Sequence, residues 1–187
     1  MAIAAARDFL TQYGVEIAVQ DELVEEYLAG GTWDSMDSSS TPVTEDIYKD
    51  DTFLVTERHY EDGSVSVSRV DQGVSVNPGV VTPRSSPHGC TVSGKARTNC
   101  TVDMWVGLVS MSFKANYNLG TNKVTSVYGP SWTVGGACST SLIGLKRPAS
   151  NIGRMDIQAQ MCGIGYSTTF FLQVTVKNGV ATESWDG

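Results

Sequence analysis

The sequence predicts a mainly β protein: an antiparallel β-sandwich or barrel-like sheet with a small N-terminal helical hairpin, cross-linked by disulfides. Three observations predict this fold. Apolar and polar residues alternate in three segments of the C-terminal half, glycine-containing turns lie between strands, and all four cysteines lie within positions 90–162. Period-two alternation is typical of strands with one buried and one wet face. Several short strands of this kind favour a sandwich or barrel.

Residues 4–30 are predicted to form two short helices. Phe9, Leu10 and Tyr13 recur at helical spacing, and Gly14 follows as a stop signal. The second helix ends before Gly30, and its apolar residues share one face: Leu23, Val24, Tyr27 and Leu28. Neither helix is long enough to be stable alone, so we expect the pair to dock on the rest of the protein.

Residues 31–46 are rich in Ser, Thr and Asp and are predicted to be a loop. A hairpin follows, with an "EDG" turn between two strands whose alternating apolar residues are Phe53, Val55, Val65 and Val67. Residues 71–89 contain three of the six prolines together with three glycines, which predicts a linker or wrapping segment.

From Cys90 onward the pattern is that of strands. Three segments alternate, with apolar sets Val109, Met111, Phe113, Ala115 and Tyr117; Met155, Ile157, Ala159 and Met161; Phe170, Leu172, Val174 and Val176. Asn178-Gly179 is the pair preferred in two-residue hairpin turns. We therefore divide the chain into an acidic helical hairpin and loop (1–40), a β-hairpin with its connecting segment (41–89), and a disulfide-containing β domain (90–187). We expect 41–187 to form one body.

Charge is distributed unevenly along this acidic chain. Residues 1–62 carry fifteen acids and three bases, a net charge of −12, whereas residues 63–187 carry ten bases and five acids, a net charge of +5. The basic residues are scattered apart from Lys146-Arg147, and the total of −7 repels phosphate, so we expect no nucleic-acid partner. Apolar runs of only a few residues predict no membrane span.

Four cysteines allow three pairings. No CxxC or HxxxH knuckle is present, so neither a zinc site nor a dithiol redox pair is favoured, and we expect no metal and no cofactor. The most local pairing is Cys90–Cys100, which leaves Cys138–Cys162. Disulfides at both pairs are our prediction, and buried free thiols are the alternative.

The chain opens "MAIAAARDFL", which lacks the charged and apolar regions of a signal peptide but is similar to the chain just after a cleavage site. We therefore expect a mature protein whose signal peptide has been removed. This N-terminal segment and the predicted disulfides together predict a secreted or cell-surface location.

Three stretches carry a family resemblance: "YGVEIAVQDELVEEYLAGGTWDSM", "HYEDGSVSVSRV" and "GCTVSGKARTNCTVDMWVGLVSMSFKANYNL". Together they resemble a group of small secreted actinobacterial proteins of unknown function, which similarly join a short helical segment to a "DGSVSV" hairpin and a cysteine-containing β domain. The resemblance implies export and the Cys90–Cys100 bridge. It implies no activity and no functional residue.

Catalytic patterns are weak. His59 and His88 are the candidate general bases, but neither lies beside a nucleophile motif such as GxSxG, and a triad of a serine, His88 and Asp103 rests on composition alone. The predicted loop contains four acidic residues: Asp34, Asp37, Glu45 and Asp46. Two of them could act as a pair in glycoside hydrolysis, or the group could bind calcium weakly. They lack the D-x-D-x-D-G spacing of a preformed calcium-binding loop. We interpret them as a solvated loop.

Aromatic residues at or near predicted turns are the candidate binding residues: Trp105, Tyr128, Trp132 and Tyr166. Burial in the core is the favoured alternative for them, because tryptophan is usually a core or corner residue. The leading hypothesis is a secreted, non-enzymatic protein that binds an unknown extracellular protein or glycan. The first alternative is a secreted cell-envelope hydrolase. The second is a protease inhibitor that presents the Cys90–Cys100 loop, with Lys95 and Arg97 available for a basic-specific pocket.

Overall fold

The fold is given by a computed structural model that describes residues 2–37, 39–73, 89–162 and 167–186. Two helices, α1 (Ala2–Gln12) and α2 (Ile17–Leu28), precede a 3-10 turn at Asp34–Met36. The strands within these residues are β1 Thr44–Asp50, β2 Phe53–His59, β3 Val65–Asp71, β4 Thr91–Ser93, β5 Ala96–Val106, β6 Val109–Asn118, β7 Lys123–Val134, β8 Ala137–Ala149, β9 Ile152–Met161, β10 Ser167–Lys177 and β11 Val180–Asp186.

The strands form two antiparallel sheets, which confirms the predicted fold class. The larger sheet has the order β1-β2-β3-β5-β6-β7, with β4 paired to β5, and the smaller has the order β11-β10-β9-β8. The predicted alternation is borne out in β6, where every second residue from Val109 to Tyr117 is buried. The inward residues of β9 and β10, Met155 and Leu172 among them, are buried in the same apolar cluster as those of β6. The sheets therefore pack face to face around an apolar interior.

The two predicted helices are confirmed, and they share the core of the sheets. Leu10 and Leu23 are buried in the same cluster as the strand residues. The second helix differs from the prediction at one end, because Leu28 is 66% exposed while Gln20 is buried. The side-chain amide nitrogen of Gln20 donates one hydrogen bond to the Val15 carbonyl and one to the Thr11 hydroxyl. Both of its N–H groups are therefore paired although the side chain is buried.

Trp33, inside the predicted loop, is fully buried and joins the helices to the sheets. Its indole Nε1 donates to the Leu23 carbonyl at 2.6 Å. Its ring lies against Gly107 in the β5–β6 turn, where φ is +65° and an added Cβ would overlap the ring. Tyr27 of α2 donates to the Gly135 carbonyl in the β7–β8 turn. The helices thus close the end of the sandwich at which these turns lie.

The loop prediction also fails at its C-terminal end, because Thr44–Asp50 forms strand β1. All seven residues of β1 are exposed, so the segment has no apolar alternation that would identify it as a strand. The segment predicted to be a linker lies mostly outside the described residues, as does His88. Among the helices that the structure describes, none is long and apolar enough to cross a bilayer.

Both predicted disulfides are formed. Cys90–Cys100 is fully buried and joins the start of β4 to β5. Cys138–Cys162 is exposed and joins the start of β8 to the end of β9. The described part of the chain contains no free cysteine.

Candidate functional site

The predicted aromatic residues do not form one patch. Trp105 lies in β5, and the guanidinium of Arg69 stacks 4.4 Å from its ring centre and 4.4 Å from that of Phe53. The same guanidinium makes two hydrogen bonds of 2.9 Å to the buried carboxylate of Asp103. Trp105 is therefore half-buried and covered by an ion pair, which gives it a packing role in the sheet.

The other two described residues of this set lie within β7 rather than at turns. Tyr128 is opposite Lys114 on the outer face of the larger sheet, and Trp132 is opposite the buried Met111 on the inner side. The Trp132 indole donates to the Thr140 hydroxyl at 3.0 Å, across the gap between the sheets. Tyr166 lies outside the described residues.

Three different aromatic residues converge on a cleft of about 250 Å³ at the open edge of the sandwich. Tyr60 follows β2, Phe171 lies in β10 and Trp185 in β11. Asp37 and Asp186 also line this space, which we call the edge cleft. One weak sequence signal points to it: Phe171 occupies an outward position in the alternation of β10, where polar residues are usual.

The topology creates the edge cleft. The last strand of the smaller sheet, β11, lies over β3, as the 2.8 Å hydrogen bond from the Ser68 hydroxyl to Glu183 shows. Among the described residues, no strand of the smaller sheet lies beyond β11, so β1 and β2 extend past it. Trp185 lies on the inner face of β11, and Asp186 is directly opposite Phe171 in the β10–β11 register. The cleft is the space between this strand end and the end of β2.

The charges of the edge cleft are predominantly negative. Arg58 lines the cleft, but its guanidinium is paired with the Glu45 carboxylate at 2.6 Å. The backbone N–H and the hydroxyl of Ser39 both donate to Asp37, and these hydrogen bonds lower the pKa of the Asp37 carboxyl. Asp37 is therefore ionised at neutral pH. With Arg58 neutralised, Asp37 and Asp186 give the cleft an excess of negative charge.

A third carboxyl group lies beside the edge cleft. Glu183 is 7% exposed and immediately precedes Ser184 and Trp185. Its Oε1 accepts the hydrogen bond from Ser68, while Oε2 has no hydrogen-bond partner among the residues that the structure describes. Such a buried oxygen retains capacity to accept a hydrogen bond.

Of His59 and the predicted acidic residues, only Asp37 lines the edge cleft within the described residues. His59 contacts Glu57 at 2.7 Å, and this pair points to the opposite face of β2 from Arg58, away from the cleft. In the acidic loop, Asp34 accepts from the Ser40 hydroxyl at 2.9 Å, and Asp46 lies exposed in β1. The described residues contain no group of three or more His, Cys, Asp or Glu side chains placed to hold a metal ion.

The Cys90–Cys100 loop is a hairpin in which the two basic residues differ. Lys95 is exposed at the turn between β4 and β5. Arg97 is only 8% exposed, and its guanidinium donates to the carbonyls of Gln72, Gly94 and Ala96. Arg97 therefore holds the hairpin together and is not available to enter a protease pocket, which leaves Lys95 as the accessible basic residue between the two cysteines.

Comparisons with protein-family models, with curated proteins and with solved structures find no match to this chain.

Proposed function

We propose that this is a secreted binding protein without catalytic activity, which takes part of a larger extracellular ligand into the edge cleft. One observation carries the proposal: Tyr60, Phe171 and Trp185 converge, together with two carboxylates, on one concave site. Aromatic side chains offer a large contact area at low conformational cost and are enriched at binding surfaces. Two disulfides and a shared core support a rigid frame for such a site.

The size of the cleft supports a ligand that is larger than the cleft itself. Its volume of about 250 Å³ lies below the roughly 300–1,000 Å³ of pockets that enclose drug-sized molecules. A side chain or a single sugar ring fits a space of this size. The rest of the ligand then lies on the surrounding surface, as expected for a protein or glycan partner.

Export is the part of the proposal supported by the cysteines. Disulfides persist in oxidising compartments and are rare in the reducing cytosol. The pairing of all four cysteines therefore favours a protein that works outside the cell.

The hydrolase alternative has less support, because its predicted general base, His59, does not line the cleft, and the lowered pKa of the Asp37 carboxyl makes it a weak base. The His59–Glu57 pair lies on the opposite face of β2 from the cleft. The inhibitor alternative now depends on Lys95 at the tip of a tight hairpin, since Arg97 is buried.

The test uses a peptide array and a glycan array as probes, with Tyr60→Ala as the cleft variant and Tyr128→Ala as its matched control. Tyr128 is an exposed tyrosine on a different face, so the two variants remove the same side chain from different surfaces. We expect array binding that Tyr60→Ala weakens and Tyr128→Ala leaves unchanged, with both variants retaining the wild-type melting temperature.

Array binding that is equally strong in both variants would contradict the placement of the site. A panel of ester, peptide and glycoside substrates is the second arm. Turnover that His59→Ala abolishes without loss of fold would support the hydrolase instead.

A further inference from the structure

We propose that the edge cleft binds an extended, lysine- or arginine-containing segment of a partner protein, which adds as a strand to the free edge of β11. This inference rests on the proposed function and specifies its ligand. Strand addition to a sheet edge gains affinity from main-chain hydrogen bonds and specificity from alternate side chains.

Within the described residues, one edge of β11 is not paired with another strand. Among the described residues, β11 pairs with β10 alone. The two-residue turn Asn178-Gly179 makes Lys177 and Val180 the closing pair of the hairpin, so every second residue from Val180 bonds to β10. The residues between them, Ala181, Glu183 and Trp185, point their N–H and C=O groups away from β10.

A side-chain contact confirms this alternation independently. The amide nitrogen of Gln72 donates to the carbonyl of Ala181 at 2.9 Å. That carbonyl must therefore lie on the outer edge of β11, and Glu183 and Trp185 share its orientation. Gln72 covers the edge at Ala181, whereas the groups of Glu183 and Trp185 lie at the cleft end of the strand. Ala181 is fully buried and Glu183 is 7% exposed, so the accessible part of this edge is the end of the strand at Trp185. An unpaired strand end of this kind is a template for pairing with another chain.

The edge cleft carries an excess of negative charge. Asp37 and Asp186 line the cleft, and the guanidinium of Arg58, which also lines it, is already paired with Glu45. The guanidinium of Arg154, against the Phe171 ring, is paired with Asp156. Residues 1–62, which supply one wall of the cleft, carry a net charge of −12. A cationic side chain is attracted to this site and an acidic one is repelled.

Three aromatic side chains form the walls of the edge cleft. Aromatic ring faces attract lysine and arginine, and tryptophan does so most strongly. Phe171 already binds a guanidinium in this way, since Arg154 lies 3.7 Å from its ring centre. Tyr60 and Trp185 offer two further rings beside the carboxylates. Free backbone groups, carboxylates and aromatic rings together match an extended basic segment better than they match a neutral sugar.

The probes are three short peptides titrated into the full-length, disulfide-intact protein and followed by amide NMR shifts and calorimetry. The first alternates threonine and lysine, the second replaces each lysine by glutamate, and the third is the lysine peptide N-methylated at alternate residues. N-methylation removes main-chain donors without changing the side chains. We expect the lysine peptide to shift the amides of Glu183 and Trp185, and the other two to bind at least about tenfold more weakly.

Variants test the carboxylates with a matched control. We expect the Asp37→Asn and Asp186→Asn double variant to weaken the lysine peptide by about tenfold. Asp46→Asn, which removes an exposed charge of β1 that does not line the cleft, is expected to change it little. Unchanged binding in the double variant would contradict the charge argument.

The remaining outcomes separate this inference from the proposed function. Equal binding of the N-methylated peptide would overturn strand addition, and equal binding of the glutamate peptide would overturn the preference for basic segments. A glycan that binds in the cleft while the lysine peptide does not would overturn the inference and leave the proposed function intact. If neither the peptides nor any array probe perturbs cleft residues, both fail.

Discussion

Replacing Trp33 by alanine tests whether the N-terminal helices are part of the folding unit. The side chain has no solvent-exposed surface and belongs to the cluster that contains Leu10, Leu23 and the inner strand residues. Its indole also donates to the Leu23 carbonyl at 2.6 Å. If the helices were only an appendage, losing this contact would leave the stability of the sheets unchanged.

The expected loss is large. Truncating a buried tryptophan to alanine costs about 3–5 kcal/mol through lost transfer energy and the cavity that remains. Leaving the Leu23 carbonyl without its indole donor adds about 1 kcal/mol. Domains of this size have total stabilities of about 5–15 kcal/mol, so Trp33→Ala removes a substantial fraction. Trp33→Phe keeps an aromatic ring but not the N–H, and we expect it to cost about 1–3 kcal/mol.

The assay is reversible urea unfolding of the disulfide-intact protein, followed by far-UV circular dichroism, which reports on the β strands. We expect both variants to lower the unfolding midpoint of the single transition, and the alanine variant to lower it more. If Trp33→Ala fails to fold, the phenylalanine variant still provides the measurement. A loss below about 1 kcal/mol in both variants, or a separate early transition for the helices, would refute the shared core.

Three further predictions concern the frame of the molecule. Gly107→Ala is expected to lower the free energy of unfolding more than Gly94→Ala in the same urea assay. Both glycines have positive φ, but of the two only Gly107 would bring an added Cβ against a neighbouring side chain, that of Trp33. Equal losses of stability would show that the close contact between Gly107 and Trp33 is unimportant. Mild reduction is expected to open the exposed Cys138–Cys162 bridge before the fully buried one, as timed alkylation and peptide mapping would show, and the reverse order would contradict the burial argument. Burial raises the pKa of Tyr27 to about 12. The stabilising contribution of the protonated Tyr27 is therefore complete below the unfolded pKa near 10 and is lost as pH rises toward 12. We expect Tyr27→Phe to reduce the alkaline loss of stability but not to abolish it, because burial raises the pKa of Tyr117 as well.

The parts of the fold that the sequence predicted are those with a simple periodicity. Strand β6 is buried on one face and solvated on the other, so its alternation is visible in the residues alone. Strands β1 and β8 are exposed over nearly their whole length, so hydrophobic periodicity carries no signal for them. They are strands because the backbones of neighbouring strands pair with them, and the residues of β1 and β8 alone do not reveal which strands those are.

The candidate site was less accessible to prediction. Trp105 and Trp132 are candidates in the sequence because they lie at or near predicted turns, where a sandwich could present them to a ligand, but pairing partners far along the chain decide their exposure. The edge cleft joins Tyr60 to Phe171 and Trp185, more than a hundred positions later. Only the register between the sheets places these residues together, and no spacing pattern in the sequence encodes it.

The contact between Ser68 and Glu183 has a consequence for the order of events during synthesis. These residues are 115 positions apart, and Tyr27 and Gly135 are 108 apart, so the N-terminal segments find their final neighbours only after much of the chain has been made. Contacts of such separation slow folding, because a long loop must close before they form. A nascent chain ending before β11 lacks the strand that covers Ser68, and its exposed strand edges are open to aggregation. The inner face of β3 is therefore covered only after β11 has been made, although β3 itself is made more than a hundred residues earlier.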